Sequence, residues 1–378
     1  MKKFKTLSLI LFTLSFSTLA KEDASKLITQ VDNQTSHLNI EISDGPYVFK
    51  NKSKSSFTSF WVCDGERKQE ITLIDNYPHK FNSCGLSAEV TSGLVKEDNI
   101  LEYSGDFKIA ATSDFHGQYK LMMQLLQNNN IIDTQGNWSF DNGHLVITGD
   151  VFDRGDQVTE ILWFLYKLEK QALRVGGQVH LLLGNHEVMT LNGDLRYLNP
   201  KYEYTANTLN IPYDELFSKE SILGNWIRSK PVLVKINNML FTHGGFHPSL
   251  AKEKRTLSEI NTVFKANLVK SELSTKREGW GKYLHKKNGP IWYRGYFKVK
   301  DEGASNEEIE LLLHHFNVKN IIVGHTSQKQ IETRHEGKVI AIDSSIKNGK
   351  YGEVLLIDGN NKWRGTLSGE MIPLENTP

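Results

Sequence analysis

A chain of 378 residues, 39% hydrophobic and 24% charged, has the makeup of a folded protein of about two domains at roughly 150 residues each. An aromatic content of 10% excludes a disordered chain, and no sustained period marks a coiled coil or repeat array. With 45 Lys and Arg against 44 Asp and Glu, the formal charge is +1, without the basic excess of a nucleic-acid-binding protein.

Residues 1–20 read as an export signal. Lys2, Lys3 and Lys5 precede an apolar stretch from Leu7 to Phe16, and Thr18-Leu19-Ala20 supplies the small residues a signal peptidase needs. The stretch is too short to cross a hydrocarbon core of about 30 Å comfortably, although a retained anchor is its other reading. No cysteine follows the cleavage site, which argues against a lipoprotein. Cleavage removes three lysines and no acid, leaving 42 basic against 44 acidic residues, or −2. The expectation is a periplasmic or secreted protein with no stable membrane insertion after cleavage.

From 21 to 104 the chain reads as a small β-rich domain. Short β-prone runs at Leu38–Ile42, Tyr47–Phe49, Phe57–Val62 and Ile71–Ile74 are separated by turn residues such as Ser43-Asp44-Gly45-Pro46 and Asp64-Gly65. The two cysteines, Cys63 and Cys84, both lie here. An oxidising compartment permits them to pair, which would stabilise the fold by about 3 kcal/mol in the chain-entropy model. Two free buried thiols, or half of a metal site, are the other readings. A phosphatase-type catalytic thiol is excluded, because Cys-x5-Arg is needed and the sixth residues on are Gln69 and Val90.

From 105 to 378 strands alternate with helices, the pattern of an α/β catalytic domain. Phe107–Thr112, Leu145–Thr148 and Val179–Leu183 are apolar runs, each ending in a polar cluster. Helical stretches follow at Gln118–Gln127 and around Ile161, Leu162, Leu165 and Leu168. A hairpin over Val232–Thr242, a strand at Ile321–Val323 and two late hairpins follow, with turns near 336–337 and 359–361. Helical segments are expected at 214–229, 256–275 and 306–316, with helical insertions near 192–230 and 250–290. Ser305 and Glu308 make a capping box for the last.

Five segments stand at strand ends in fixed order: SDFHG (113–117), GDVFDRG (149–155), GNHE (184–187), HGG (243–245) and GH (324–325). They supply Asp114, His116, Asp150, Asn185, His243 and His325, a nitrogen and oxygen ligand set without thiolate that suits a pair of divalent ions. One carboxylate, Asp150, can bridge two ions at the separation of about 3.5–4 Å used in phosphoryl chemistry. Each segment alone means little; the signal is their joint occurrence. His37, His79, His144, His180, His247, His285, His314, His315 and His335 carry no assigned role.

These motifs resemble the calcineurin-like metallophosphoesterases, in the phosphoprotein phosphatase branch. Within it the chain is similar to the Shewanella-like phosphatases, and the GPIWYRGYF segment (289–297) brings it near the cold-active protein-tyrosine phosphatase type of that group. The resemblance covers about 105–370 and implies a β-sandwich flanked by helices, with a small N-terminal β unit. It assigns Asp114, His116 and Asp150 to one ion, and Asp150, Asn185, His243 and His325 to the other. Ser113 departs from the glycine usual before the first Asp. Ser327 stands where many nucleases of this fold carry a second His, which favours a phosphomonoesterase.

The chemistry then distributes roles. Two ions, open in identity among Mn, Zn, Fe, Mg and Ca, would acidify a bridging water into an attacking hydroxide near neutral pH. Arg154 and Arg294 are the bidentate donors for phosphate oxygens. His186, next to a ligand, is placed as general acid, with Asp153 to orient it. The expected activity is one-step hydrolysis of phosphoproteins or phosphopeptides, with phosphotyrosine favoured by the resemblance alone and nucleic acid not a partner. A dinucleoside polyphosphate or small phosphate ester hydrolase is the alternative enzyme. A non-catalytic, metal-dependent phosphate-binding module is the alternative of another class.

Overall fold

Three short apolar runs, Ile109–Thr112, His144–Ile147 and Gln178–Leu181, lie side by side as parallel strands. Runs of four consecutive buried residues suit strands covered on both faces, where alternation of polar and apolar positions is lost. The helices Tyr119–Asn128 and Val158–Arg174 make the crossovers between them. This computed structural model describes residues 42–375, apart from 52–54, 75, 92–99, 270, 272–273 and 298–302. The expected export signal at 1–20 and most of the run Leu38–Ile42 lie outside the described residues.

The three parallel strands continue through Glu353–Asp358, Asn361–Thr366 and Met371–Pro373 into a six-stranded sheet. A second six-stranded sheet holds Glu332–Arg334, Val339–Ala341, Asn320–Val323, Met239–Thr242, Leu233–Ile236 and Glu102–Tyr103, in that spatial order. The sheets face each other across Ile109, Ala111, Val146 and Leu182 on one side and Val234, Phe241, Ile322 and Ile340 on the other. Each of the larger side chains among them contributes about 1.5–3 kcal/mol by leaving water. The architecture is therefore an α/β sandwich of two sheets flanked by helices, as the family resemblance implied.

Parallel pairing has a direct consequence for chemistry. Because Ile109–Thr112, His144–Ile147 and Gln178–Leu181 run the same way, the loops that follow them open on one edge. In the second sheet Met239–Thr242 and Asn320–Val323 are also parallel, which brings the residues after Thr242 and Val323 together. Ligand sites in open α/β sheets collect at such carboxyl ends.

The β-rich segment before residue 105 forms an antiparallel sheet of Asp44–Lys50, Ser56–Cys63 and Glu66–Leu73, followed by the hairpin His79–Ser83 and Leu86–Val90. Cys63 and Cys84 form a disulfide that ties this sheet to the hairpin turn, so free thiols and a half metal site both fall away. The segment lies in the same compact unit as the catalytic region, 43–378. Trp163 Nε1 donates to the Pro46 carbonyl at 2.9 Å, and the Tyr47 and Thr159 hydroxyls lie 3.2 Å apart.

Two expected helices are shorter than their sequence pattern. The stretch 214–229 divides into a 3-10 turn, Glu215–Phe217, and the helix Ile222–Ser229, because Ser221 caps the latter by accepting from Gly224 N at 2.9 Å. The stretch 256–275 stops at Ala266, where Asn267 folds its side-chain amide back onto the Val263 carbonyl at 2.8 Å. The helix Asn306–Phe316 carries the expected Ser305 and Glu308 capping box.

Candidate metal centre and active site

The five strand-end loops converge on one buried cluster. Asp114, His116, Asp150, Asn185, His243 and His325 are all at most 4% exposed. Their backbones are constrained as well. Asp114, His116, Asp150, Asp153, Arg154 and His325 all adopt positive φ, between 44° and 69°. Non-glycine residues rarely do so, and each costs of order 1 kcal/mol that the surrounding fold must offset. Gly149, at φ 108°, is required outright, because a Cβ there would collide with the backbone of Gly184.

Hydrogen-bond geometry fixes which atoms face the cluster. His243 Nδ1 lies 2.9 Å from the Thr148 carbonyl and His116 Nδ1 lies 2.7 Å from the Phe152 carbonyl, so both Nδ1 atoms are donors. The opposite nitrogen, Nε2, turns inward in each ring. Around His243 Nε2 stand Asn185 Oδ1 at 3.0 Å, Asp150 Oδ2 at 3.2 Å and His325 Nδ1 at 3.2 Å. His116 Nε2 faces Asp150 Oδ2 at 3.6 Å and Asp114 Oδ1 at 3.8 Å. One proton on His243 Nε2 can satisfy only one of its three neighbours, and the distances around His116 are too long for hydrogen bonds. Convergent lone pairs at this spacing are what divalent cations neutralise, and imidazole, carboxylate and amide oxygen suit first-row ions.

Charge balance agrees. Burial disfavours ionised Asp150, yet His243, His186 and His116 hold its carboxyl well below the usual range. Burial, with Asp343 and Asp150 nearby, pushes Asp114 up to about 8, and burial pulls His116 down to about 3. Burial works against charge on His243, but Asp150, Asp114 and Glu187 lift it to about 9. The carboxylates thus draw a positive charge into the cluster from an imidazole, the task a dication performs with no proton. Two groups of three converge within metal-binding reach, His116 with Asp150 and His186, and Asp150 with His243 and His325, so Asp150 belongs to both. Asp114 and Asn185 border these groups through His116 and His243.

The remaining expected residues are at the rim. His186 Nδ1 lies 2.5 Å from Asp153 Oδ2, which leaves Nε2 facing the cluster, 3.8 Å from Asp150 Oδ2. Burial lowers the basicity of His186, but Asp150 and Asp153 outweigh it and raise its pKa. A protonated imidazole aimed at the cluster and held by a carboxylate can deliver a proton to a departing oxygen. Arg154 is exposed, its Nη2 3.4 Å from His186 Nε2. Arg294 is exposed too, anchored through Nη1 to the His325 carbonyl at 2.9 Å and the Thr326 hydroxyl at 3.2 Å.

Three contributions lie outside what the motifs reveal. Glu187, wholly buried, accepts from the backbone N–H groups of Gly184, Asp150 and Val151 at 2.7, 2.8 and 2.7 Å, and so binds two ligand loops together. It stands inside the GNHE segment, but nothing in the sequence says that its side chain turns back. Ser113, the departure from glycine, donates to Asp114 Oδ2 at 2.5 Å and accepts from the Thr148 hydroxyl at 2.7 Å, orienting the first carboxylate. Asp343, also wholly buried, accepts from Ser327 Oγ at 2.6 Å and Ser345 N at 3.0 Å, and its charge reaches Asp114. No periodicity or motif marks it.

Comparison with known proteins adds four findings. The family described as calcineurin-like phosphoesterase matches residues 107–329. The solved structure of the cold-active protein-tyrosine phosphatase of a psychrophile, Shewanella sp., superposes with a TM-score of 0.81 at 42% identity, covering 88% of this chain and 99% of that one. Shewanella-like protein phosphatase 1 of Plasmodium berghei is 32% identical over 237 residues, which are 62% of this chain and 64% of that protein. The symmetrical bis(5'-nucleosyl)-tetraphosphatase of Pasteurella multocida is 27% identical over 177 residues, covering 44% of this chain and 57% of that protein.

Proposed function

The chain belongs to the calcineurin-like phosphoesterase family, and from that premise we propose that it is a metal-dependent phosphoprotein phosphatase preferring phosphotyrosine. The observation that carries this reading is the His186–Asp153 pair beside a cluster of inward-facing lone pairs, with two exposed arginines at its mouth. The similarity to two named protein phosphatases supports the substrate class, and the one named for phosphotyrosine supports the preference.

Asp114, His116 and Asp150 would hold one divalent ion, and Asp150, Asn185, His243 and His325 a second; when bound, the ions supply Lewis acidity and a nucleophile at neutral pH. The residues do the rest. Arg154 and Arg294 clamp the phosphoryl oxygens, each guanidinium matching the anion with paired N–H donors. Arg294 is fixed for this by its bonds to His325 and Thr326. Asp153 keeps Nδ1 of His186 protonated, so Nε2 carries the transferable proton toward the leaving oxygen. Glu187 and Ser113 hold the ligand loops, so no reorganisation is needed when substrate arrives.

Export to an oxidising compartment is part of the proposal. The leader-like residues 1–20 and the Cys63–Cys84 disulfide support it. Among the described residues no helix is long and apolar enough to cross a membrane.

The test compares kcat/KM of metal-loaded protein for a phosphotyrosine peptide, a phosphoserine peptide and a dinucleoside polyphosphate. The expected order places phosphotyrosine first. The similarity to the Pasteurella tetraphosphatase is the reason for including the polyphosphate. A clear polyphosphate preference would transfer the assignment to that activity.

A further inference from the structure

Beside His186 stands an aromatic residue that no motif marks. Tyr197 is 45% exposed, an unusual setting for a large ring whose position is so tightly fixed. Its carbonyl accepts from Arg154 N at 3.0 Å, and Asn199 Nδ2 donates to the Arg154 carbonyl at 2.7 Å. The loop carrying Tyr197 is thus pinned to the loop carrying Asp150, Asp153 and Arg154. The Arg154 guanidinium carbon lies 5.2 Å from the ring centroid, and that of Arg196 lies 5.7 Å away. Arg196 is in turn held by Asp194 through Nε at 2.8 Å and Nη2 at 2.9 Å. The Tyr197 and His186 rings are 5.3 Å apart, tilted by 50°.

We propose that Tyr197 is the specificity-determining platform on which the aromatic ring of an aryl phosphate, phosphotyrosine included, stacks as it leaves. This inference rests on the phosphatase reading above. If His186 Nε2 protonates the leaving oxygen, the leaving group must project from the cluster past His186. The ring surface next along that exit is Tyr197. An aryl group reaches it and gains an aromatic pair, whereas a seryl group has a single methylene between oxygen and backbone and does not. Arg154 serves both ends: its charge is available to the phosphate while its face orders the platform. The loop that carries the ring is already pinned by two hydrogen bonds, so stacking needs little ordering of the backbone. Trp292 lies 5.7 Å from His325, a residue of the metal cluster, whereas Tyr197 lies 5.3 Å from the proton donor.

The experiment uses metal-loaded full-length protein and the variants Tyr197→Leu and Tyr197→Phe. Each is measured with a phosphotyrosine and a phosphoserine peptide of the same sequence. Binding of phenylphosphonate and methylphosphonate, which have no cleavable ester, is followed by calorimetry. Tyr197→Leu should lower kcat/KM for phosphotyrosine by about 3–10-fold, the scale of one aromatic pair. It should change phosphoserine by less than about 2-fold, since a seryl group gains no aromatic pair to lose. Phenylphosphonate affinity should fall in parallel and methylphosphonate affinity should not. Tyr197→Phe should keep wild-type values in every assay. Equal losses on both peptides, or no loss on phosphotyrosine, would overturn the platform. If wild-type protein hydrolyses neither peptide yet binds phenylphosphonate in a Tyr197-dependent way, the phosphatase reading fails and only a ring-stacking contact at Tyr197 stands.

Discussion

Two buried histidine clusters stand in the sandwich, one just past strand ends of both sheets and one on the strands His144–Ile147 and Gln178–Leu181, and only the first is built for chemistry. At the carboxyl ends, His116, His243 and His325 point nitrogens at carboxylates and an amide oxygen with too few protons to pair them. On the strands themselves, His180 Nε2 and His144 Nδ1 face each other at 3.0 Å, a single shared proton closing the pair. Tyr103 packs edge-on against both rings, and Phe107 stacks on His144 at 3.9 Å. Burial is alike in the two clusters; what differs is whether the polar atoms satisfy one another. A histidine is a ligand candidate when its neighbours leave lone pairs uncompensated, and a core residue when they do not.

The largest effect expected from this contrast is at Asp150, the carboxylate common to both groups of convergent ligands. Asp150→Asn should abolish turnover, a loss larger than the roughly 10–100-fold typical of residues that only support metal ligands. Its far-ultraviolet circular dichroism should stay unchanged. Near-normal activity in that variant would dismantle the dinuclear assignment.

His186→Asn should come next. Loss of a general acid costs about 10²–10⁴-fold, and the cost should fall mainly on phosphoserine. A phenol leaves readily because its pKa is about 10, so aryl phosphates need the proton less. Metal content, read by mass spectrometry, should be retained. Equal losses on both substrates with depleted metal would reduce His186 to a brace for its loop.

The disulfide should matter for stability only. Cys63 and Cys84 close a loop with a sequence separation of 21, worth about 3 kcal/mol in the chain-entropy model. The double Cys→Ser variant should unfold at lower denaturant with kcat unchanged. A folded double variant without activity would bring a thiol into the reaction.

The smallest effect separates the two histidine clusters by pH. Burial lowers His144 to about 4 and His180 well below its ordinary value, so the folded pair stays neutral where the unfolded chain, near about 6.5, takes up protons. The stability this pair contributes is therefore full above about pH 6.5 and declines as pH falls toward about 4. A thermal-melting series over that window should show a shallower slope in His180→Asn than in wild type. An unchanged slope would place the acid sensitivity elsewhere.

Much of this is legible in the sequence because chemistry and topology share a signature. Short apolar runs, each ending in a polar cluster, locate the strands and also place Asp114, Asp150 and Asn185 at their carboxyl ends. Arg294 is marked by its local segment alone, and its bonds to His325 and Thr326 put it at the mouth. What the sequence conceals depends on side chains that turn against their local pattern. Glu187 folds back onto three backbone N–H groups. Asp343 stands just past the strand Val339–Ala341, in no motif, and only tertiary packing brings its charge to bear on Asp114. The helix boundaries at Ser221 and Asn267 escape the apolar pattern for the same reason, since one side-chain hydrogen bond decides each.

Whether six residues from five loops hold two cations is decided by counting metal on the purified protein before and after chelation. Two divalent ions per chain are expected, with activity lost when they are removed and restored when divalent cation is returned. Full turnover of a phosphopeptide by metal-free protein would contradict this assignment.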